Sequence, residues 1–264
     1  MKFSKAFKYQ LNDVKPAIIS FYSVMIGIEI LLSLLIAFCI GNVDGNVIGL
    51  DAATPVFMFI LSLCIFSTNF SFLNQNSISR KTMVLSCFAM FATVAGIMLA
   101  IDAINAAIMY MGDFYKYPYS TVYEMIFHQF ESPDHRIVDK TSDILQNLPT
   151  VSQKLTRISA NLIFNYVSYI AAAVSGYFIS VLFYRLSKIW RIIVFIIIPV
   201  VLLNSAYSIY RLGESFFDTI SRWMDRNIFN SPSGTIFSML IWIVVFATLS
   251  YLIATKASLK PKKE

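Results

Sequence analysis

The sequence predicts an all-α membrane protein with six transmembrane helices, an N-terminal interfacial amphipathic helix, and an outer amphipathic or re-entrant hairpin before the last span. Two observations carry that prediction. The 264-residue chain is 57% hydrophobic and only 14% charged, well below the roughly 25% charged content of soluble domains. Its apolar residues also gather in six runs, about 17–41, 54–73, 82–110, 158–184, 190–210 and 235–255, each near the ~20 residues that cross a hydrocarbon core. Backbone polar groups find no partners in lipid, so each run is expected to be helical. The chain reads as one membrane domain over 1–264: an interfacial helix 1–16, spans one to three over 17–110, an extracellular segment 111–157, spans four to six over 158–255, and a basic tail 256–264.

The first element, MKFSKAFKYQLNDVK, places Phe3, Phe7, Leu11 and Val14 at helical spacing, with Lys2, Lys5, Lys8 and Asp13 elsewhere around the wheel. Such a helix lies on an anionic inner surface, as a lipid anchor or as a docking element. The run after it is too long, and lacks the small-residue ending, for a cleaved signal peptide.

Orientation follows from Lys and Arg. The tail has Lys2, Lys5, Lys8 and Lys15, the 74–82 loop Arg80 and Lys81, the fourth-to-fifth turn Arg185, Lys188 and Arg191, and the C-terminus Lys256, Lys260, Lys262 and Lys263. The alternate segments are poorer: 42–53 has Asp44 and Asp51 without a cation, and acids outnumber bases in 111–157. The positive-inside rule then puts both termini in the cytoplasm. The net charge of +6 is a topology and lipid signal rather than a nucleic-acid footprint.

Within the spans, Glu29 falls about twelve residues into the first run, near mid-membrane by helix rise. A charge there costs at least ~2.5 kcal/mol unless protonated, paired or in a polar cavity. Two readings stand for it, a place in a translocation path or gate, and an inter-helix hydrogen bond. Asp102, one turn from Asn105, is read first as structural and near the outer end of the third span. The third span also carries a stripe of small residues, Ala89, Ala92, Gly96, Ala100, Ala103 and Ala107, which is read as helix packing. The fourth has a polar edge of Asn161, Asn165, Ser168, Ala172 and Ser175, read as packing glue or path lining. Pro199 is expected to kink the fifth.

The outer segments are longer than connections need. In 212–234, Phe216, Phe217, Ile220, Trp223, Met224 and Ile228 recur at helical spacing, whereas 111–157 begins with an aromatic, turn-prone stretch and ends helix-like. His128 and His135, with Glu131 and Asp134 between them, have irregular spacing for a metal site and read as an ordinary polar loop. Cys39, Cys64 and Cys87 lie in apolar runs and form no CxxC pair. The chain carries no phosphate-binding loop, no H-E-x-x-H and no G-x-S-x-G, so it is not expected to be an enzyme.

One stretch, NQNSISRKT at 74–82, is more polar than a turn requires. It holds Asn74, Gln75, Asn76, Ser77, Ser79, Arg80 and Lys81. The segment NSISRKTMVLSCF, Asn76 to Phe88, is similar to the S-R-[KR]-x-hydrophobic segment that opens the third span in type-2 ABC transporter permeases. The order of parts resembles the small six-span exporter subunits of that family in Gram-positive bacteria, although 111–157 is longer here. The resemblance implies that 74–82 forms a coupling helix seated in a groove of a separate ATPase subunit. ATP and Mg would then belong to that partner and no cofactor to this chain. It further implies a second permease copy or a related permease, a location in the bacterial cytoplasmic membrane among its lipids, and export of an amphipathic cargo such as a peptide. Polar and charged rim residues suit a docking surface, while Asn in turns and cations at a helix start have ordinary local uses. A rival from another class is a membrane-bound immunity protein that sequesters a peptide at the outer face through 111–157 without transport.

Overall fold

The computed structural model describes residues 2–35, 47–111, 119–128, 151–186, 193 and 231–255. Six α-helices occur among them: α1 Lys2–Leu35, α2 Ala53–Gln75, α3 Arg80–Met111, α4 Val122–His128, α5 Val151–Arg185 and α6 Pro232–Thr255. A 3-10 turn, Leu50–Ala52, leads into α2, and a two-residue parallel bridge pairs β1, Val47–Ile48, with β2, Tyr119–Ser120. Five of the helices, α1, α2, α3, α5 and α6, are long and apolar enough to cross a membrane. The expected fifth span 190–210 apart from residue 193, its kink at Pro199, most of the 212–234 hairpin, the basic tail and most of the 111–157 segment lie outside the described residues.

Side-chain pairing fixes the relative direction of the helices. Gln10 meets Met83, Tyr22 meets Met98 and Asp102, and Glu29 meets Asn105, so α1 and α3 run parallel. Ser180 bonds the Leu63 carbonyl, and Phe70 packs on Tyr184, so α2 and α5 run parallel in the opposite sense. Trp242 reaches Ser175 and Phe246 reaches Phe178, which aligns α6 with α5. Arg185 and Pro232 therefore stand at opposite ends of the bundle. The two ends are named below for Arg80, at the α2–α3 turn, and for Asp51, in the 3-10 turn.

The leading segment differs from its expectation. Residues 2–16 are not a separate interfacial helix; they run unbroken through Pro16 into the first span. The cause is a second buried stripe that the Phe3, Phe7, Leu11 pattern hides: Ala6, Gln10, Val14, Ile18 and Tyr22, four apart, all face the bundle. Phe7 and Leu11 flank that stripe and Phe3 is exposed. Gln10 is held by its amide to the Met83 carbonyl at 3.5 Å, and Tyr9 stacks on Phe72 at 4.3 Å between ring centroids.

The core is largely aromatic. Phe66 and Phe70 of α2, Phe88 and Phe91 of α3, and Tyr177 and Tyr184 of α5 form edge-to-face and tilted pairs toward the Arg80 end. The small-residue stripe of α3 contributes less than expected. Ala92 and Gly96 lie against Tyr166, but Ala100 and Ala107 are exposed. A close helix approach is made elsewhere, at Gly176 of α5, where an added methyl group would collide with the Phe59 carbonyl and the Ser62 hydroxyl of α2. Small residues permit such contact between membrane helices.

Gly176→Ala is therefore expected to lower thermal stability by about 1–3 kcal/mol, the usual cost of overpacking. Gly27→Ala, where no atom lies within 4 Å, is expected to change it little. Thermal unfolding of both variants in detergent checks the contrast.

Candidate functional site

A carboxylate inside a bundle loses its water and needs donors in exchange. Asp102 of α3 obtains them from three other helices. Tyr22 of α1 donates to Oδ1 at 2.8 Å, and Thr54 of α2 and Tyr169 of α5 donate to Oδ2 at 2.9 and 2.7 Å. Asp102 is 5% exposed, and among the described residues its partners are hydroxyls, with no cation against it. Each helix positions its donor by simple register. Tyr22 closes the four-apart stripe of α1, Thr54 lies in the first turn of α2, and Tyr169 is buried among the aromatics of α5.

A second acid stands beside the first. Asp51, in the 3-10 turn, accepts the Val122 backbone N–H at 2.9 Å and the Asn165 amide at 3.4 Å through Oδ2. It thereby caps α4, where a carboxylate also meets the positive end of the helix dipole. Asn165 in turn donates to Asn161 at 3.1 Å. Asn165 and Tyr169 are one turn apart on α5, so that helix reads both acids. Ser168 lies on the same stretch, half-buried. Tyr123, Phe127 and Phe164 pack as a small apolar cluster beside them.

Glu29 accepts the Asn105 amide at 3.2 Å. It stands toward the Asp51 end of the bundle rather than at the middle of the helices. Asn105 is one turn beyond Asp102, and the rise from Arg80 to Asp102 is roughly 33 Å, about a full hydrocarbon core. Because α1 begins at Lys2 rather than near residue 17, Glu29 is carried up to the Asp51 end. Of the predicted residues, the structure brings Glu29, Asp102, Asn161, Asn165 and Ser168 to one half of the bundle. Tyr22, Thr54 and Tyr169 were not singled out by the sequence reading; the signal available was that a lone acid in a span requires donors on its neighbours.

The 74–82 residues lie at the other end, and they have local work. Asn74 and Gln75 finish α2, while Arg80 and Lys81 start α3, so the link is the short turn 76–79 rather than a helix of its own. Ile78 N–H returns to the Leu73 carbonyl at 3.1 Å, with Ser77 left-handed at φ 54°, the geometry of a Schellman C-cap. Asn76 bonds the Phe72 carbonyl at 2.9 Å. Ser79 caps α3, its Oγ accepting the Thr82 N–H at 3.2 Å. Arg80 turns inward to the Thr255 carbonyl at the end of α6, at 3.3 Å. The link is thus a capped turn rather than the implied helix, with Asn76, Ser79 and Arg80 each bonding a terminal backbone group within reach.

His128 ends α4, and Glu131, Asp134 and His135 lie outside the described residues. Cys64 is exposed and Cys87 buried.

Removing one donor from Asp102 leaves a buried acceptor short of a charge-assisted bond. Tyr169→Phe is expected to cost about 1.5–3 kcal/mol, read as a lower unfolding midpoint, whereas Ser168→Ala is expected to be near neutral. Among known proteins, no family model, no curated protein and no solved structure matches this chain.

Proposed function

We propose that this chain is the permease subunit of an ATP-binding-cassette exporter in a bacterial cytoplasmic membrane, with the Arg80 end in the cytoplasm and a separate ATPase subunit docked there. The observation that carries the reading is the construction of that end. The leading turns of α1 are bound to the last turn of α2 by the Tyr9–Phe72 stack and to the first turn of α3 by the Gln10–Met83 bond, and Arg80 ties in the end of α6. Four helices therefore share one polar surface, on which Lys5, Lys8, Asn12, Gln75, Asn76, Ser77, Ser79 and Lys81 are exposed. A soluble partner that moved this surface would move α1, α2, α3 and α6 together. The similarity of Asn76–Phe88 to the family's third-span segment points to the same partner. A second permease copy or a related permease would complete the pathway, and an apolar, aromatic-rich bundle suits an amphipathic cargo such as a peptide.

The turn separates docking residues from capping residues. Arg80, Ser79 and Asn76 hold helix ends, whereas Gln75 and Lys81 face outward. In detergent, the chain is expected to co-purify with a candidate ATPase encoded beside it. Lys81→Glu should weaken that complex at least several-fold without changing the unfolding midpoint, and Arg80→Gln should lower the midpoint as well. Failure of the unmodified chain to form the complex would defeat the proposal and move the assignment to a non-transporting peptide-binding protein of the outer face.

A further inference from the structure

Two of the three donors around Asp102 have a second acceptor in reach. The Tyr22 hydroxyl carries one proton and lies 2.8 Å from Asp102 Oδ1 and 3.1 Å from the Met98 carbonyl. Thr54 stands in the same way between Asp102 Oδ2 at 2.9 Å and the Leu50 carbonyl at 3.3 Å. With the acid ionised, all three hydroxyl protons can point at it. With the acid neutral, one of them has somewhere else to go.

We propose that Asp102 is a reversible proton-binding site. A proton taken from water adds to Oδ1 and is donated to the Tyr22 hydroxyl oxygen, while the Tyr22 proton rotates to the Met98 carbonyl. Tyr169 and Thr54 continue to donate to Oδ2. One O–H bond forms at Oδ1 as one breaks in the hydronium ion that delivers the proton and leaves as water, the carboxylate charge is neutralised, and the hydrogen-bonding groups remain paired without movement of a heavy atom. A carboxylate paired to an arginine has no such alternative, because neutralising it strands the cation.

The surroundings favour a site that changes state rather than a fixed anion. From α1 the ionisable groups facing this region are Tyr22 and, farther along, Glu29. From the 3-10 turn and α2 they are Asp51 with the neutral Thr54, from α5 Tyr169 beside the neutral Asn165, and α3 itself adds the neutral Asn105. Among the described residues none of these is a cation, so the neighbours add negative charge or none. The ionised acid draws α1, α2 and α5 toward α3 through three charge-assisted bonds. Proton uptake replaces the one from Tyr22 by two neutral bonds, from Asp102 to the Tyr22 oxygen and from Tyr22 to the Met98 carbonyl, both still joining α1 to α3. This inference does not depend on the transport reading.

Infrared difference spectroscopy of the full chain in lipid nanodiscs, stepped from alkaline to acidic pH, tests it. The expected result is a protonated-carboxyl C=O band that appears on acidification, disappears in Asp102→Asn, persists in Glu29→Gln and Asp51→Asn, and shifts to higher frequency in Tyr22→Phe. Asp102→Asn places an N–H donor where the acid proton is proposed, so it should fold with a midpoint near that of the parent. If it fails to fold, Tyr22→Phe decides alone. A band that survives Asp102→Asn, that does not shift in Tyr22→Phe, or that never appears would overturn the proposal.

Discussion

Asp102 is the constraint from which the arrangement of this bundle follows. Lipid cannot solvate a carboxylate, and the described part of the chain places no cation beside this one, so its solvation shell is built from other helices. Hydroxyl donors must arrive within about 3 Å and from suitable directions. That requirement specifies the rotation and height of α1, α2 and α5 relative to α3 more sharply than apolar packing could. Asp51 extends the same logic by one turn. It receives α4 and Asn165, so the short helix α4 is positioned by the helix that already serves Asp102.

Toward the Arg80 end the means of specification changes. Apolar side chains gain little from leaving lipid for protein, so shape decides which helices meet. Gly176 lets α2 and α5 touch at backbone distance, and the rings of Phe66, Phe88, Phe91, Tyr177 and Tyr184 interlock around that contact. Edge-to-face pairs add a directional preference to the buried area. One end is thus set by polar direction and the other by steric fit, with α5 taking part in both.

Five long apolar helices were legible in the sequence because the demand for about 20 apolar residues leaves a mark on composition that needs no partner to be read. Which helix meets which was not. Ile97 and Ile104 of α3 are exposed while Met83, Met90 and Met98 are buried, and hydropathy treats the two groups alike. Gln10 and Ala6 marked the buried face of α1, yet the bulkier Phe3 and Phe7 dominated the pattern. Tyr22, Thr54 and Tyr169 are ordinary residues in an aromatic-rich span until an acid 80, 48 and 67 positions away gives them a role. The 74–82 turn was conspicuous in the sequence, but its polar residues divide: Asn76 closes α2, Ser79 opens α3 and Arg80 reaches the end of α6, whereas Gln75 and Lys81 face outward.

The bond from Arg80 to the Thr255 carbonyl joins positions separated by 175 residues. During synthesis α3 is finished long before the last helix leaves the ribosome, so the Arg80 guanidinium spends that interval without the partner it has in the finished bundle. The last helix, which presents Phe237, Ile241, Val244 and Val245 outward along most of its length, acquires one of its few polar attachments only at its final turn. Insertion of α6 therefore ends with a check on its depth: a helix seated one turn too high or too low leaves Arg80 facing the wrong residue.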